Sequence, residues 1–225
     1  MFVSRSMTRK VISIDENADI MEAKDKMAEH RIRHLPVVTK GDRLCGIVTD
    51  RDIRSAMPSS VLDDPACDVS PTRLAKIKVS EIMTKNPVTL SPHDTLPDAL
   101  LLVQKKKVGA FPVVDEQGIL KGILSTRDLM RAFINVLGIG EPGTLLCVLL
   151  EDKVGQMKKI VDAVTEENIS FGSILVARYW EEGKRAVFPY LLTLNVTQVK
   201  KKLEKLGLTL LDPMEWYLDQ LPKND

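Results

Sequence analysis

Gly46–Asp52 reads GIVTDRD and Gly122–Asp128 reads GILSTRD, 76 residues apart. No other feature constrains the fold as much. Shifted by 76, the chain matches itself without a gap from Val3 to Ala56. Val3, Ser4, Met7 and Thr8 fall on Val79, Ser80, Met83 and Thr84. Pro36-Val37-Val38 fall on Pro112-Val113-Val114, and Leu44, Gly46, Ile47, Arg51 and Asp52 on Leu120, Gly122, Ile123, Arg127 and Asp128. Gap-free self-similarity marks one structural unit written twice. A unit of about 55 residues has little core of its own, so the two copies are expected to pack together.

Each copy has the same grammar. Val11–Ile14 and Val88–Leu90 read as short strands. A helix follows, striped by Ile20, Ala23, Met27 and Ala28 in one copy and Leu96, Ala99, Leu100 and Val103 in the other. Pro97 suits a first helical turn. LPVV and FPVV open a hairpin that LCGIV and LKGIL close, and a second helix starts near Thr49 or Ser125. The order is strand, helix, strand, strand, helix, twice.

At 225 residues the chain has room for more than this repeat. Residues 1–57 are expected to form the first copy, 58–76 a Pro-, Ser- and Asp-rich linker, and 77–136 the second copy. GIGEPG (Gly138–Gly143) punctuates a second boundary, 137–143. It fits the spacing of a dinucleotide fingerprint, but a helix precedes it and a strand follows, the reverse of what phosphate binding needs. Residues 144–212 then read βαββαβ, a ferredoxin-like order, and 213–225 form a tail. The fold class is α+β. Within the third segment, TLLCVLLE is one strand, and the strand near YLLTLN is placed after Pro189, because proline removes a ladder bond.

A formal charge of +1 gives no global pull toward nucleic acid or membrane. No apolar run approaches the roughly 20 residues of a membrane helix, and MFVSRSMTRK lacks a signal-peptide core. A cytoplasmic protein is expected. Cys45, Cys67 and Cys147 are scattered and suit reduced thiols rather than a disulfide framework or zinc site.

Thr49-x-x-Asp52 and Ser125-x-x-Asp128 fit capping boxes, in which hydroxyl and carboxylate satisfy free N–H groups at a helix start. A ligand site is the rival reading. Helix starts suit phosphates, and a carboxylate beside one can hold ribose hydroxyls. Arg51 and Arg127 stand in the first turn, where the helix dipole disfavours a cation. That points to a nearby anion, or to an ordinary salt bridge. Lys105-Lys106-Lys107 reads as a solvated helix end, where cations suit the dipole, ahead of the rival reading of a phosphate funnel.

At these residues each copy resembles a CBS domain, and the two together a CBS pair (Bateman module). The resemblance rests on Met-Thr before the first strand, the hydrophobic-Pro-Val-Val segment, and G-hydrophobic-x-[ST]-x-x-D, over about Val3 to Phe133. It implies two clefts for adenine-containing ligands: AMP, ADP, ATP or S-adenosylmethionine. Carried over by position, Thr49, Arg51 and Asp52 would serve one cleft and Ser125, Arg127 and Asp128 the other. Segments at Ser13, Arg33-His34, Thr89 and Gly109-Ala110 would line the base or phosphate regions. His34 reads equally as a ligand contact or a structural residue.

The segment 144–212 resembles an ACT domain, through Asp152-Lys153-Val154-Gly155 before its first helix and Asn168-Ile169 before its second strand. Val154 stands where that family often has proline. The resemblance implies an amino-acid site around Asp152, Gly155 and Asn168, or a purely dimerising role. The whole order resembles the AcuB-like acetoin-utilisation proteins, which implies a homodimer that regulates an unidentified protein. Three functions therefore compete: a non-catalytic nucleotide sensor, an enzyme, and an interaction module with unused clefts. The sequence carries no nucleophile–base pair, metal-ligand cluster or catalytic phosphate loop. With no basic recognition helix, nucleic acid is not an expected partner.

Overall fold

The computed structural model describes residues 1–57 and 77–211; the expected linker, Cys67 and the tail lie outside the described residues. The chain divides into two compact units, Met1–Met130 and Arg131–Asp225.

In the first unit the copies fold alike. The first contains β1 (Ile14–Asp15), α2 (Ile20–Glu29), β2 (His34–Thr39), β3 (Arg43–Thr49) and α3 (Asp50–Ala56), preceded by the helical turn α1 (Val3–Ser6). The second contains α4 (Val79–Ile82), β4 (Thr84–Lys85), α5 (Leu96–Lys106), β5 (Ala110–Val114), β6 (Leu120–Ser125) and the start of α6 (Thr126–Leu137), which crosses the boundary at Met130. The expected strand Val88–Leu90 shrinks to a single parallel bridge, Leu90 to Val113, the counterpart of Ile14 on Val37. Both hairpins carry a register shift at the same place, after Val37 and after Val113. The hairpins also bond to each other reciprocally: Leu44 N–H donates to Gly118 O and Leu120 N–H to Asp42 O, both at 3.0 Å.

The core follows the 76-residue offset. Val3, Ile14, Ile20, Leu35, Val37, Val48 and Ile53 are buried, and so are Val79, Leu90, Leu96, Phe111, Val113, Leu124 and Leu129. The helical stripes are narrower than expected. Ala28 is exposed and Leu100 is 40% exposed. Asp19 and Thr95 cap α2 and α5, and Pro97 sits in the first turn of α5.

The opening turns are exchanged between copies. Thr8 bridges Ile123 of the second copy, while β4 pairs Thr84 with Ile47 of the first. Val3 N–H donates to Asp94 O and Val79 N–H to Ala18 O. This exchange explains the glycine of the repeated heptapeptide. A Cβ on Gly46 would overlap the Met83 thioether, and one on Gly122 that of Met7. The Met of each Met-Thr pair thus lies on the glycine of the other copy.

In the second unit β8 (Val148–Glu151), α7 (Gln156–Thr165), β9 (Phe171–Glu181), β10 (Lys184–Leu191), α8 (Thr197–Lys205) and β11 (Thr209–Leu210) follow in βαββαβ order. The sheet runs β11-β8-β10-β9, all antiparallel. Ile160, Ala163, Val164, Val199 and Leu203 of the helices bury one face against Val148, Leu150 and Val187. On the other face Cys147, Leu149 and Ala186 are buried beside Phe188 and Trp180.

Pro189 lies inside β10, not before it, and β10 is interior. The register accommodates it. Leu146 faces Pro189 and donates to its carbonyl at 3.0 Å, while the return bond is missing for want of a proline N–H. The expected strand TLLCVLLE breaks there into β7 (Thr144–Leu145) and β8. GIGEPG lies between α6 and β7, where a Cβ on Gly143 would overlap the Leu191 carbonyl and the Tyr190 ring. Close backbone approach accounts for that glycine without a phosphate.

Candidate functional site

Strand β3 delivers Thr49 to the start of α3, and β6 delivers Ser125 to the start of α6. Both capping boxes form. Asp52 Oδ2 accepts from Thr49 N–H at 2.8 Å and from Thr49 Oγ1 at 2.7 Å. Asp128 Oδ2 accepts from Ser125 N–H at 2.9 Å and from Ser125 Oγ at 2.5 Å. A third box of the same geometry joins Thr95 and Asp98 at the start of α5. The box is therefore a helix-start device, and its surroundings must decide whether it does more.

The surroundings differ. Asp98 lines a hollow of about 540 Å³ walled by its own helix, with Leu101, Leu102, Gln104 and Lys105, whereas Asp52 and Asp128 line two other cavities. The Ser125 cleft encloses about 630 Å³ and the Thr49 cleft about 530 Å³, both within the range of small-ligand sites. Each is built from both copies. Ser125 and Asp128 face Thr8, Lys10, Ile12 and Arg31 of the first copy. Thr49 and Asp52 face Thr84, Asn86, Val88 and Lys107 of the second. The strand ends carrying Arg33-His34 and Gly109-Ala110 form a wall common to both clefts. There His34 packs on Gly109, where a Cβ would lie 3.0 Å from His34 Nε2.

Most sequence-predicted residues meet here: Thr49, Arg51 and Asp52 in one cleft, Ser125, Arg127 and Asp128 in the other, and Arg33, His34, Gly109 and Ala110 in both. Ser13 and Thr89 line neither. The segments just before them do: Lys10-Val11-Ile12 line one cleft and Asn86-Pro87-Val88 the other. Sequence reasoning missed Thr8, Lys10, Arg31, Thr84 and Asn86, and ranked a phosphate role for Lys107 behind a solvated one. The one signal for these positions is that each is paired with another at the 76-residue offset: Thr8 with Thr84, Lys10 with Asn86, Arg31 with Lys107.

Arg31 (φ 52°) and Lys107 (φ 53°) are both left-handed, just past the ends of α2 and α5. Glycine is the usual occupant of such a position, and a side chain there costs roughly 1 kcal/mol. Both copies nevertheless place a cation there, at the lip of a cleft. Neither Arg51 nor Arg127 forms a salt bridge among the described residues, so the first-turn cations are not explained by an acidic neighbour. His34 has its pKa lowered, first by burial and then by the Arg33 charge, with Asp52 opposing. Its imidazole is thus held neutral at pH 7. Each cleft combines aliphatic walls, such as Ile12 with Ile123 and Val88 with Ile47, a carboxylate, and cations. Aliphatic walls suit a flat base, a carboxylate suits a diol, and cations suit phosphate. Asp52 Oδ1 accepts no hydrogen bond from a described residue, so it can accept one from a ligand hydroxyl.

The predicted trio in the second unit is not brought together. Asp152 is ion-paired to Arg185. Gly155 (φ 90°) precedes α7, while Asn168 (φ 56°) lies past its far end. A helix of that length holds them about 15 Å apart. The cavity between α7 and α8 is lined instead by Lys159, Asp162, Glu166, Lys202 and Lys205 among others. No group of three or more metal-ligating side chains occurs among the described residues.

The CBS domain family matches residues 3–59 and 79–135. A CBS domain-containing protein of Dictyostelium discoideum is 34% identical over 140 residues, covering 61% of this chain and 94% of that protein. A homoserine O-acetyltransferase of Methanocorpusculum labreanum is 35% identical over 57% of this chain, but only 23% of its own length is matched. Among solved structures, a Vibrio cholerae protein provisionally assigned to acetoin utilization (AcuB) superposes with TM-score 0.52 at 28% identity, over 63% of this chain and 98% of that one. CBSX2 in complex with AMP superposes with TM-score 0.50 at 25% identity, over 59% of this chain and 96% of that one.

Proposed function

The chain belongs to the CBS domain family, and from that premise we propose that it is a non-catalytic sensor of adenine nucleotide. AMP, ADP, ATP or S-adenosylmethionine would occupy the clefts. One observation carries the reading: Asp52 and Asp128 each stand in a cavity of nucleotide size, with aliphatic walls and with cations (Arg51 and Lys107 in one, Lys10, Arg31 and Arg127 in the other) that form no ion pair with a described residue. Asp52 and Asp128 would hold the ribose hydroxyls. Thr49 and Ser125 would contact ribose or phosphate, and Arg51, Arg127, Arg31 and Lys107 the phosphates. The AMP complex of CBSX2 supports the ligand class. Enzymatic relatives lend no activity, since the homoserine O-acetyltransferase matches over a small part of its length.

A ligand shifts a conformational balance only by its differential affinity. Because each cleft is assembled from both copies, closing on a ligand would draw the copies together. The output would be a changed affinity for another protein. The Vibrio cholerae relative supports a link to acetoin metabolism. The second unit is proposed to be ACT-like and to serve in dimerisation, a role supported by its strand order and by Leu175 and Val176, both over 40% exposed on the edge strand β9. A cytoplasmic location completes the proposal; no helix among the described residues is long and apolar enough to cross a membrane. The rival reading, an interaction module with unused clefts, draws on the Thr95–Asp98 box, which caps a helix away from either cleft.

Calorimetric titration with AMP, ADP, ATP and S-adenosylmethionine separates the two. The sensor reading predicts saturable heat with at least one of them, at no more than two equivalents per chain. Flat titrations with all four favour the interaction module.

A further inference from the structure

We propose that the two clefts take different nucleotides: the Ser125 cleft a nucleoside di- or triphosphate, the Thr49 cleft a ligand with one phosphate or none. The inference rests on the sensor reading and deepens it.

Comparison by position shows the bias. Lys10 in the Ser125 cleft corresponds to Asn86 in the Thr49 cleft, so one wall gains a cation. Thr126, just after the cap, corresponds to Asp50, so the other wall gains an anion. The first exchange favours more phosphate in the Ser125 cleft; the second is offset within the Thr49 cleft by Arg54. Arg31 and Lys107 are both cationic, as are Arg127 and Arg51, so each cleft keeps a minimal phosphate contact. Asp50 and Arg54 pair at 2.7 Å, so together they leave the charge of the Thr49 cleft unchanged, and Lys10 against Asn86 carries the difference.

Beside the shared Arg33, the Ser125 cleft gathers Lys10, Arg31 and Arg127, none ion-paired to a described residue, where the Thr49 cleft gathers Arg51 and Lys107, and Asp128 is the one carboxylate lining the Ser125 cavity. Like charges gathered around one cavity repel. A chain of phosphates would relieve that repulsion, and a single phosphate would relieve less of it. The Ser125 cleft is also the larger.

The test is calorimetric competition of ATP against AMP on the full chain. Asp52→Ala leaves the Ser125 cleft as the working site, and ATP should then bind about tenfold tighter than AMP, the worth of one charge-assisted hydrogen bond. Adding Lys10→Asn should remove that preference. Arg31→Gly, which suits a left-handed backbone and keeps the fold, should weaken ATP more than AMP. If Asp52→Ala perturbs folding, Lys10→Asn in the otherwise native chain gives the same readout on the tighter ATP site. Equal binding of ATP and AMP that neither Lys10→Asn nor Arg31→Gly alters overturns the inference and leaves the sensor reading standing. No binding of either nucleotide overturns both.

Discussion

In the Thr49 cleft the residue after the helix cap is Asp50; in the Ser125 cleft it is Thr126. Two positions before the start of Ile12 and Val88, one cleft has Lys10 and the other Asn86. The buried positions tell the opposite story. Ile14 and Leu90, Ile20 and Leu96, Val48 and Leu124 exchange like for like. The difference follows from what each position must satisfy. A core side chain answers to volume and apolarity, so the copies cannot drift far apart there. A cleft side chain facing water answers to whatever binds. Two copies can therefore share one frame and still present different walls.

If the frame is shared, equivalent core truncations should act on one cooperative unit. Leu35 and Phe111 are fully buried at equivalent places. Leu35→Ala should cost about 2–5 kcal/mol and Phe111→Ala about 3–5 kcal/mol, each shifting a single transition of residues 1–130 in chemical denaturation. Two separate transitions, one per variant, would break the comparison.

The exchanged opening turns give the next largest effect. Gly46→Ala and Gly122→Ala each push a Cβ into the methionine of the other copy, and each should cost about 1–3 kcal/mol by overpacking. Met83→Ala should offset much of the Gly46→Ala loss in a double-mutant cycle, and Met7→Ala should leave it unchanged. Rescue by Met7 instead would mean that the turns are not exchanged.

The smallest effect is on pH dependence. His34 has no titrating counterpart, since Ala110 holds the equivalent place. Its pKa is lowered from 6.5 in the folded state, so the unfolded chain binds the proton first. The stability contributed by neutral His34 is fully present above 6.5 and is lost as pH falls below 6.5 through the lowered folded value. Between pH 7.5 and 5.5 the thermal midpoint of the native chain should fall more than that of His34→Ala. Parallel curves would show that His34 stays solvated.

The 76-residue offset made the repeat, its element order and its buried pairs legible, because burial at fixed spacing is a local property of sequence. The exchange of Met1–Met7 and Lys78–Thr84 between copies was not legible. A linear repeat says that two turns are alike, not which sheet edge each completes. The same limit hid Lys10 and Asn86, which reach the clefts only through that exchange. Ser13 and Thr89 were one residue out because the clefts are lined by the segments that lead into β1 and into the Leu90 bridge, which have no periodic pattern to read. In the second unit the βαββαβ order was legible from helical stripes and turns. Pro189 was misplaced because the rule against interior proline is about one lost bond, and here the neighbouring strand breaks to accommodate it.

The central claim is that two of three identical capping boxes also hold a ligand. Thermal unfolding with and without saturating AMP, in the native chain, Asp52→Ala, Asp128→Ala and Asp98→Ala, tests it most directly. Without ligand, each substitution should lower stability by about 1 kcal/mol through loss of the carboxylate half of the capping box. Ligand at about 100 times its dissociation constant should stabilise the native chain by roughly 2.7 kcal/mol. The account predicts that Asp98→Ala keeps this ligand-induced shift while Asp52→Ala or Asp128→Ala diminishes it. An equal shift in all four proteins, or none in any, would contradict it.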